Sequence, residues 1–379
     1  MYKSTSIPNT RIEVADALRG IAIAGIILYH SIEHFNIVTF GTPVAHTLPI
    51  DDGVMKVAAW LISGKMYGIF AMLFGLSFFI MNDNQQQKGK NFSGRFAWRM
   101  CLLLIFGVLN TALYDGDILF AYALYGILLI PISRMSNKWA WVLTIFLLIQ
   151  PTNIFSHLTG LEIPSGNMMK SYAAMTPAHT DGTFWENTLD NLRWGQIANF
   201  QWNISTGRLT QLLGLFILGM LLGRHRFFYN EGNNLKKWGY VFVISVFFTI
   251  ALSFVVKSSW SAVLKPIQNT FIMMMIVSAV VWLWYKVPAF CKAIKPMCLF
   301  GRMSLTNYFL QSFIGTLLFC GWGFGLYDKL GNTWSILVGL AMFIFQYYLC
   351  KLWSKKHSKG PLEDAWKKLT WIGSEKKQF

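Results

Sequence analysis

The sequence predicts an all-α polytopic membrane protein, a single bundle of about ten transmembrane helices with both termini in the cytoplasm. Three observations predict it. Of the 379 residues, 54% are hydrophobic and only 13% charged, about half the charged share of an ordinary soluble domain. The apolar residues fall into runs of roughly 17–25, the length a helix needs to cross the hydrocarbon core. The basic residues gather in alternate connections between those runs, which is the mark of cytoplasmic loops. The net charge of +16 is therefore spread over loops and does not form one nucleic-acid-binding face.

The expected spans lie at about 14–37, 54–81, 95–114, 117–133, 138–155, 208–224, 237–256, 262–285, 298–321 and 333–353. The first opens with DALRGIAIAGIILYH and has no convincing cleavage site, so it reads as a retained first helix. The second holds Lys65 in SGKMYGIFAMLFG, and the third, RFAWRMCLLLIFGVLN, begins with Arg95 and Arg99 and ends on Asn110. DGDILFAY places Asp115 and Asp117 at the start of the fourth. A long polar and aromatic stretch, 156–207, follows the fifth and carries Trp185, Trp194 and Trp202, which suits an extracytoplasmic loop or small lid. Arg208 and Gln211 open the sixth span, and GRMSLTNYFLQS brings Arg302, Asn307 and Gln311 into the ninth. Residues 354–379 form a basic tail.

Loop charge sets the orientation. Lys88 and Lys90, Arg134 and Lys138, Arg224 to Lys237, Lys286 to Lys295 and the lysines of the tail fall on one side. Asp51 and Asp52, Asp115 and Asp117, and Glu162 to Asp190 fall on the other; only Lys257 and Lys265 run against the pattern. The first side is the cytoplasm by the positive-inside rule. Five cysteines without a CxxC pair read as small hydrophobes, and no metal site is expected.

Polar groups inside such spans are costly and point to function. Asp16 and Arg19 share a face of the first helix and can neutralise each other; they form either an interfacial anchor or a site for a cytoplasmic anion. His30 returns to nearly the same face ~16 Å further along the axis, with Glu33 and His34 one turn beyond. Arg19, Arg99 and Arg302 make an inner basic tier suited to phosphate and pyrophosphate. His30, Lys65, Asn110, Asn307 and Gln311 make a second tier at middle to outer depth. His34, Asp117, Arg208 and Gln311 fall on the outer side, and His34 and His46 rival His30 as the reactive imidazole.

The motifs DALRG, KMYGIFAMLFGLSFF and GDILFAYALYGILL, with GRMSLTNYFLQS, GFGLYDKLG and GPLEDAW in that order near the C-terminus, resemble those of the YeiB-like family of bacterial membrane proteins. The likeness runs from about Arg11 to Trp371. That family is similar in its first helix to transmembrane acyltransferases of the acyltransferase-3 and glucosaminide N-acetyltransferase types. The resemblance implies a multi-pass protein of the bacterial inner membrane that passes acetyl from cytoplasmic acetyl-CoA to an extracytoplasmic sugar or glycan hydroxyl or amine. It implies an Arg-x10-His pair, matched by Arg19 and His30, with Arg19, Arg99 and Arg302 on the CoA phosphates. YeiB-like members usually carry Asn where His30 stands and His where Asn110 stands, so the two residues are expected to face one cavity. His30 would be the base, with Asn110, Lys65 or Asn307 as donors to the oxyanion. The partners expected are membrane lipids, acyl-CoA and the acceptor, with a homodimer left open. The rival reading is a transporter or flippase for a small anionic molecule, which would also want basic mouths and mid-membrane polar residues.

Overall fold

A computed structural model describes residues 10–36, 44–161 and 167–373. Ile37 of the first expected span, Glu162 of the acidic loop charges, residues 163–166 of the expected lid and residues 374–379 of the tail lie outside them. The described chain is helical, with no β-strand beyond an isolated bridge between His46 and Leu330. In order the helices are α1 (Glu13–Ile32), α2 (Asp51–Leu61), α3 (Met66–Gln87), α4 (Ser93–Thr111), α5 (Leu119–Ile132), α6 (Asn137–Leu148), α7 (Pro151–Thr159), α8 (Met168–Thr180) and α9 (Phe184–Asp190). There follow α10 (Gln196–Ser205), α11 (Arg208–Arg224), α12 (Asn234–Val255), α13 (Ser261–Lys286), α14 (Pro288–Arg302), α15 (Ser304–Phe319), α16 (Asn332–Trp353) and α17 (Pro361–Thr370).

Five stretches are long and apolar enough to cross a membrane: Glu13–Ile32, Asp51–Gln87, Asn234–Val255, Ser261–Lys286 and Asn332–Trp353. Two bent pairs, Asn137–Leu148 with Pro151–Thr159 at 46° and Phe184–Ser205 with Arg208–Arg224 at 80°, raise the number to seven. The chain is thus an all-helical, multi-pass membrane protein. The expectation of ten regular spans is met more coarsely, because several apolar runs are split. The run 54–81 breaks over 62–65, where Gly64 takes a φ of +77°. The run 138–155 breaks at Gln150, which is left-handed. The run 298–321 is cut at Met303, between α14 and α15. Hydropathy integrates over a window and does not register a bend of a few residues.

The stretch 167–205 is not an irregular loop. It folds as α8, α9, a π-turn over Asn191–Gly195 and α10. Thr183 and Glu186 form a reciprocal capping box at the start of α9. Hydrogen bonds then tie the cap to the rest: Asn191 Nδ2 donates to Leu113 O (3.3 Å), Asn199 Nδ2 to Asp117 O (2.7 Å), and Gly321 N to His179 O (2.8 Å).

The core joins α1, α3, α5, α11 and α13, while α12 turns large apolar side chains such as Phe254 and Tyr240 outward, as a lipid-facing helix does. Without a hydrophobic drive between helices in lipid, close backbone approach at small residues holds such bundles together. A Cβ on Gly20 would lie 2.2 Å from Met297 O, and one on Gly301 2.0 Å from Asp16 O, so α1 and α14 touch through their backbones. Gly75 and Gly219 do the same for α3 and α11, with Phe216 O at 1.9 Å and Met72 O at 1.7 Å. Gly219→Val is therefore expected to cost ~3 kcal/mol or more, at the upper end of overpacking effects, because backbone cannot yield as a side chain would. The expected readout is a lower thermal midpoint of the detergent-purified protein, whereas Gly239→Ala, which meets open space on α12, leaves it unmoved.

Candidate functional site

The end of the bundle at which α1 begins carries a vestibule of about 620 Å³, lined by Arg11, Arg19, Arg99, Arg302, Lys88 and Lys359 among others. Asp16 holds two of these cations: Arg11 at 2.8 Å and Arg19 at 2.8 Å, the latter the pairing expected from their spacing. Arg19 also donates to Ser77 Oγ at 3.0 Å. Arg99 lies over the Trp366 ring at 3.5 Å and donates to Thr370 Oγ1, yet its buried Nε has no partner. Arg302 likewise buries an unpartnered Nε, and among the described residues it has no hydrogen-bond or ion-pair partner. Buried guanidinium N–H groups left open are uncommon in folded chains, and three forks converging on one cavity suit a polyanion.

α17 closes one side of this vestibule. Glu363 accepts from Leu305 N (2.6 Å), Thr306 N (3.1 Å) and Thr306 Oγ1 (2.6 Å), capping the free N–H groups at the start of α15. Trp366 Nε1 donates to Arg99 O, and Arg95 donates to Thr370 O and Ile372 O.

From the vestibule a narrower throat of about 230 Å³ runs into the bundle, sharing Arg19, Arg99 and Arg302 and continuing along Phe70, Phe74, Leu103, Tyr122 and Tyr308. Tyr308 also lines a third cavity, of about 90 Å³, with Tyr29, His30, Glu33, Tyr67, Trp202 and Arg208. Three cavities thus follow one another from the basic end to the capped end, and Tyr308 is common to the last two. Its hydroxyl accepts from Ile118 N at 3.2 Å, and no acceptor for its own proton is found among the described residues.

In the far pocket His30 Nδ1 shares a hydrogen bond with the Tyr114 hydroxyl (3.1 Å) and faces Glu33 Oε2 at 3.5 Å. With the proton on Nδ1, the ring donates toward these oxygens and keeps the Nε2 lone pair. A base oriented by a carboxylate is the arrangement a general base needs. Arg208 lies over Trp202 at 3.7 Å and over Tyr67 at 4.5 Å.

The other residues singled out from the sequence are placed elsewhere. Asn110 lines none of the three cavities, while His30 lines the third; Asn110 Nδ2 donates to Asp117 Oδ1 at 3.0 Å. Asn307 Nδ2 donates to Phe300 O (3.1 Å) and its oxygen accepts from Cys350 Sγ (3.2 Å), both inside the protein core. Gln311 is fully buried with neither amide atom partnered and lines none of the three cavities. Lys65 is the last residue of the break in the second apolar run and donates to Ala59 O at 2.9 Å. His34 meets Ser335 Oγ at 2.8 Å and stacks on Phe319, and His46 sits in the bridge to Leu330. Sequence reading missed the part of Tyr308, Tyr29 and Tyr67. Their one signal is that buried tyrosines need partners for their hydroxyls, and α15 carries such a residue inside GRMSLTNYFLQS.

Asp117 lies in the connection 112–118, between α4 and α5. Both its oxygens accept hydrogen bonds, from Asn110 Nδ2 and from Phe120 N, but burial dominates and pushes the carboxyl up to about 7. A folded pKa above the unfolded one means that the folded state holds the proton more tightly. Its contribution to stability is full below the unfolded value and is lost as pH rises through about 7. The thermal midpoint is expected to fall between pH 5 and pH 8 (about 1 °C per kcal/mol lost at this size). In Asp117→Asn this slope should flatten; an unchanged slope would assign the effect to other groups.

The sequence profile of the family described as "Protein of unknown function (DUF418)" matches residues 222–373. The chain is 25% identical to "Uncharacterized protein YxaH" of Bacillus subtilis (strain 168), covering 97% of this chain and 96% of that one. It is 26% identical to "Uncharacterized protein YeiB" of Escherichia coli (strain K12), covering 94% and 95% respectively. A likeness of 24% extends over 96% of the chain to an "Uncharacterized 39.9 kDa protein in amylase 3'region" of Bacillus acidopullulyticus, 94% of which is covered. No solved structure matches. These matches support the YeiB-like resemblance that the motifs carry over nearly the whole length.

Proposed function

We propose that the protein is a membrane-embedded acyltransferase of the bacterial inner membrane, moving acetyl from cytoplasmic acetyl-CoA to an acceptor on the outer side. The observation that carries the reading is the row of three cavities, basic at one end and bearing His30 and Glu33 at the other. The positive-inside rule favours the cytoplasmic side for the vestibule, and its size lies within the ~300–1,000 Å³ common for small-molecule sites. Arg19, Arg99 and Arg302 hold the CoA phosphates, and the pantetheine arm extends along the throat. Its thioester then stands beside Tyr308, which lines both the throat and the far pocket.

The acceptor hydroxyl or amine enters the far pocket. Its oxygen or nitrogen attacks the thioester carbonyl while His30 Nε2 takes its proton. The carbon–sulfur bond breaks, the thiolate leaves, and the imidazolium returns a proton to it as CoA. Tyr308, whose hydroxyl proton is uncommitted, takes the oxyanion role expected earlier of Asn110, Asn307 or Lys65, since those three are turned to other partners.

The reading is tested by calorimetric titration of acetyl-CoA into the detergent-purified protein. Saturable binding supports it; no binding to protein shown to be folded overturns it. A transporter or flippase for a small anionic molecule is the second reading. It is favoured by the break at 62–65, whose Ser63 and Gly64 line the far pocket, because interrupted helices beside a central site serve transport. Proteoliposomes that move a labelled anion without consuming acetyl-CoA would select it.

A further inference from the structure

We infer that the molecule taken into the far pocket carries an anionic group, a carboxylate or a phosphate, and that Arg208 holds it. This names the acceptor's class under the acyltransferase reading, and rests on that reading for the word acceptor alone.

The Arg208 guanidinium is fixed in place by stacking, between Trp202 at 3.7 Å and Tyr67 at 4.5 Å. Stacking leaves its edge free, and a guanidinium edge presents five N–H donors. Among the described residues none of them meets a hydrogen-bond or ion-pair partner, although the side chain lines the pocket. The charge around it is unbalanced. Arg208 and Lys265 both act electrostatically on Lys65, and no carboxylate among the described residues lies within ion-pairing distance of any of the three. Glu33 is the one carboxylate among the described lining residues, and it is turned to His30 at 3.5 Å. A buried guanidinium is costly unless an anion meets it; Glu33 acts on Arg208 only from beyond ion-pairing distance, and Lys265 is exposed to solvent, so the guanidinium edge is left for an anion from outside the chain.

The size of the pocket limits what enters. About 90 Å³, against ~150 Å³ for a cavity that admits benzene, is room for one headgroup or the reactive end of a larger molecule. A carboxylate or phosphate fills that space and matches the guanidinium fork in bidentate fashion. His30 lines the same cavity, so an anion on Arg208 would bring a neighbouring hydroxyl or amine of the same molecule to the base.

The test uses the full-length protein in detergent and four probes: glucuronate and glycerol 1-phosphate, with glucose and glycerol as their uncharged counterparts. The anionic pair is expected to raise the thermal midpoint in a saturable way, and the neutral pair to leave it unchanged. In Arg208→Gln the affinity for the anions should fall at least tenfold, with Arg208→Lys between it and wild type. Equal effects of charged and neutral probes on the wild type would overturn the inference, and so would anion affinity that survives Arg208→Gln. Repeating the glycerol 1-phosphate titration in nanodiscs with and without phosphatidylglycerol identifies the source. Competition by the anionic lipid supports a lipid headgroup as the native group, and its absence supports a soluble or glycan-borne one. Failure of the acetyl-CoA titration, with Arg208-dependent anion binding retained, would remove the acyltransferase reading and leave the anion site standing.

Discussion

Arg302→Ala is expected to weaken acetyl-CoA binding by ~10- to 150-fold, the loss of one charge-assisted hydrogen-bonding group worth ~1.5–3 kcal/mol. Of the three arginines in the vestibule it gives the clearest answer. Arg19 is committed to Asp16 and Ser77, and Arg99 to Trp366 and Thr370. Truncating either breaks internal contacts as well as any contact with ligand. Arg302 buries an Nε that has no internal partner, so its removal leaves no group of the protein newly orphaned and should not lower the thermal midpoint. Arg302→Lys keeps the charge and loses the fork, and is expected to recover part of the affinity but not the bidentate share. Binding unaltered in Arg302→Ala would mean that the vestibule does not hold the phosphates.

His30→Ala is expected to slow transfer by ~10²- to 10⁴-fold, the usual contribution of a positioned general base, with acetyl-CoA affinity within about twofold of wild type. That combination, a lost chemical step with retained donor binding, separates a base from a binding residue. The measurement is a single turnover with labelled acetyl-CoA and the acceptor. Truncation also strips the Tyr114 hydroxyl of its partner at 3.1 Å, a structural cost of ~1 kcal/mol. Tyr114→Phe removes the same bond from the other side while keeping the imidazole. A rate in Tyr114→Phe near wild type, beside a slow His30→Ala, assigns the loss to chemistry. A His30→Ala variant as fast as wild type would remove the base from the mechanism.

The basic end was legible in the sequence because it depends on few things. Arg19, Arg99 and Arg302 each stand near one end of an apolar run, and helices crossing the same slab bring such ends together. Asp16 and Arg19 pair because i and i+3 share a face. The middle of the bundle was harder to read. Asn110 and His30 were expected to meet on grounds of depth alone, but depth does not fix the rotation of a helix about its axis. That rotation is set for α1 by the backbone contact of Gly20 with Gly301's helix and for α4 by Gly107, whose Cβ would meet Phe120 N at 2.6 Å, with Asp117 reaching back from the next connection to take the Asn110 amide.

The sequence by itself determined the class, the apolar runs, the basic character of the vestibule residues and the presence of an imidazole three turns beyond Arg19. Hydropathy, loop charge and helical period carry these, and each is local. The tertiary structure alone decided that the long stretch after the fifth run is a helical cap, that Tyr308 stands between two cavities, and that Arg208 is held with its edge open. Those features arise where segments far apart in the chain meet. α10, α11 and α3 bring Trp202, Arg208 and Tyr67 together, and a contact between distant segments leaves no periodic trace in any one of them.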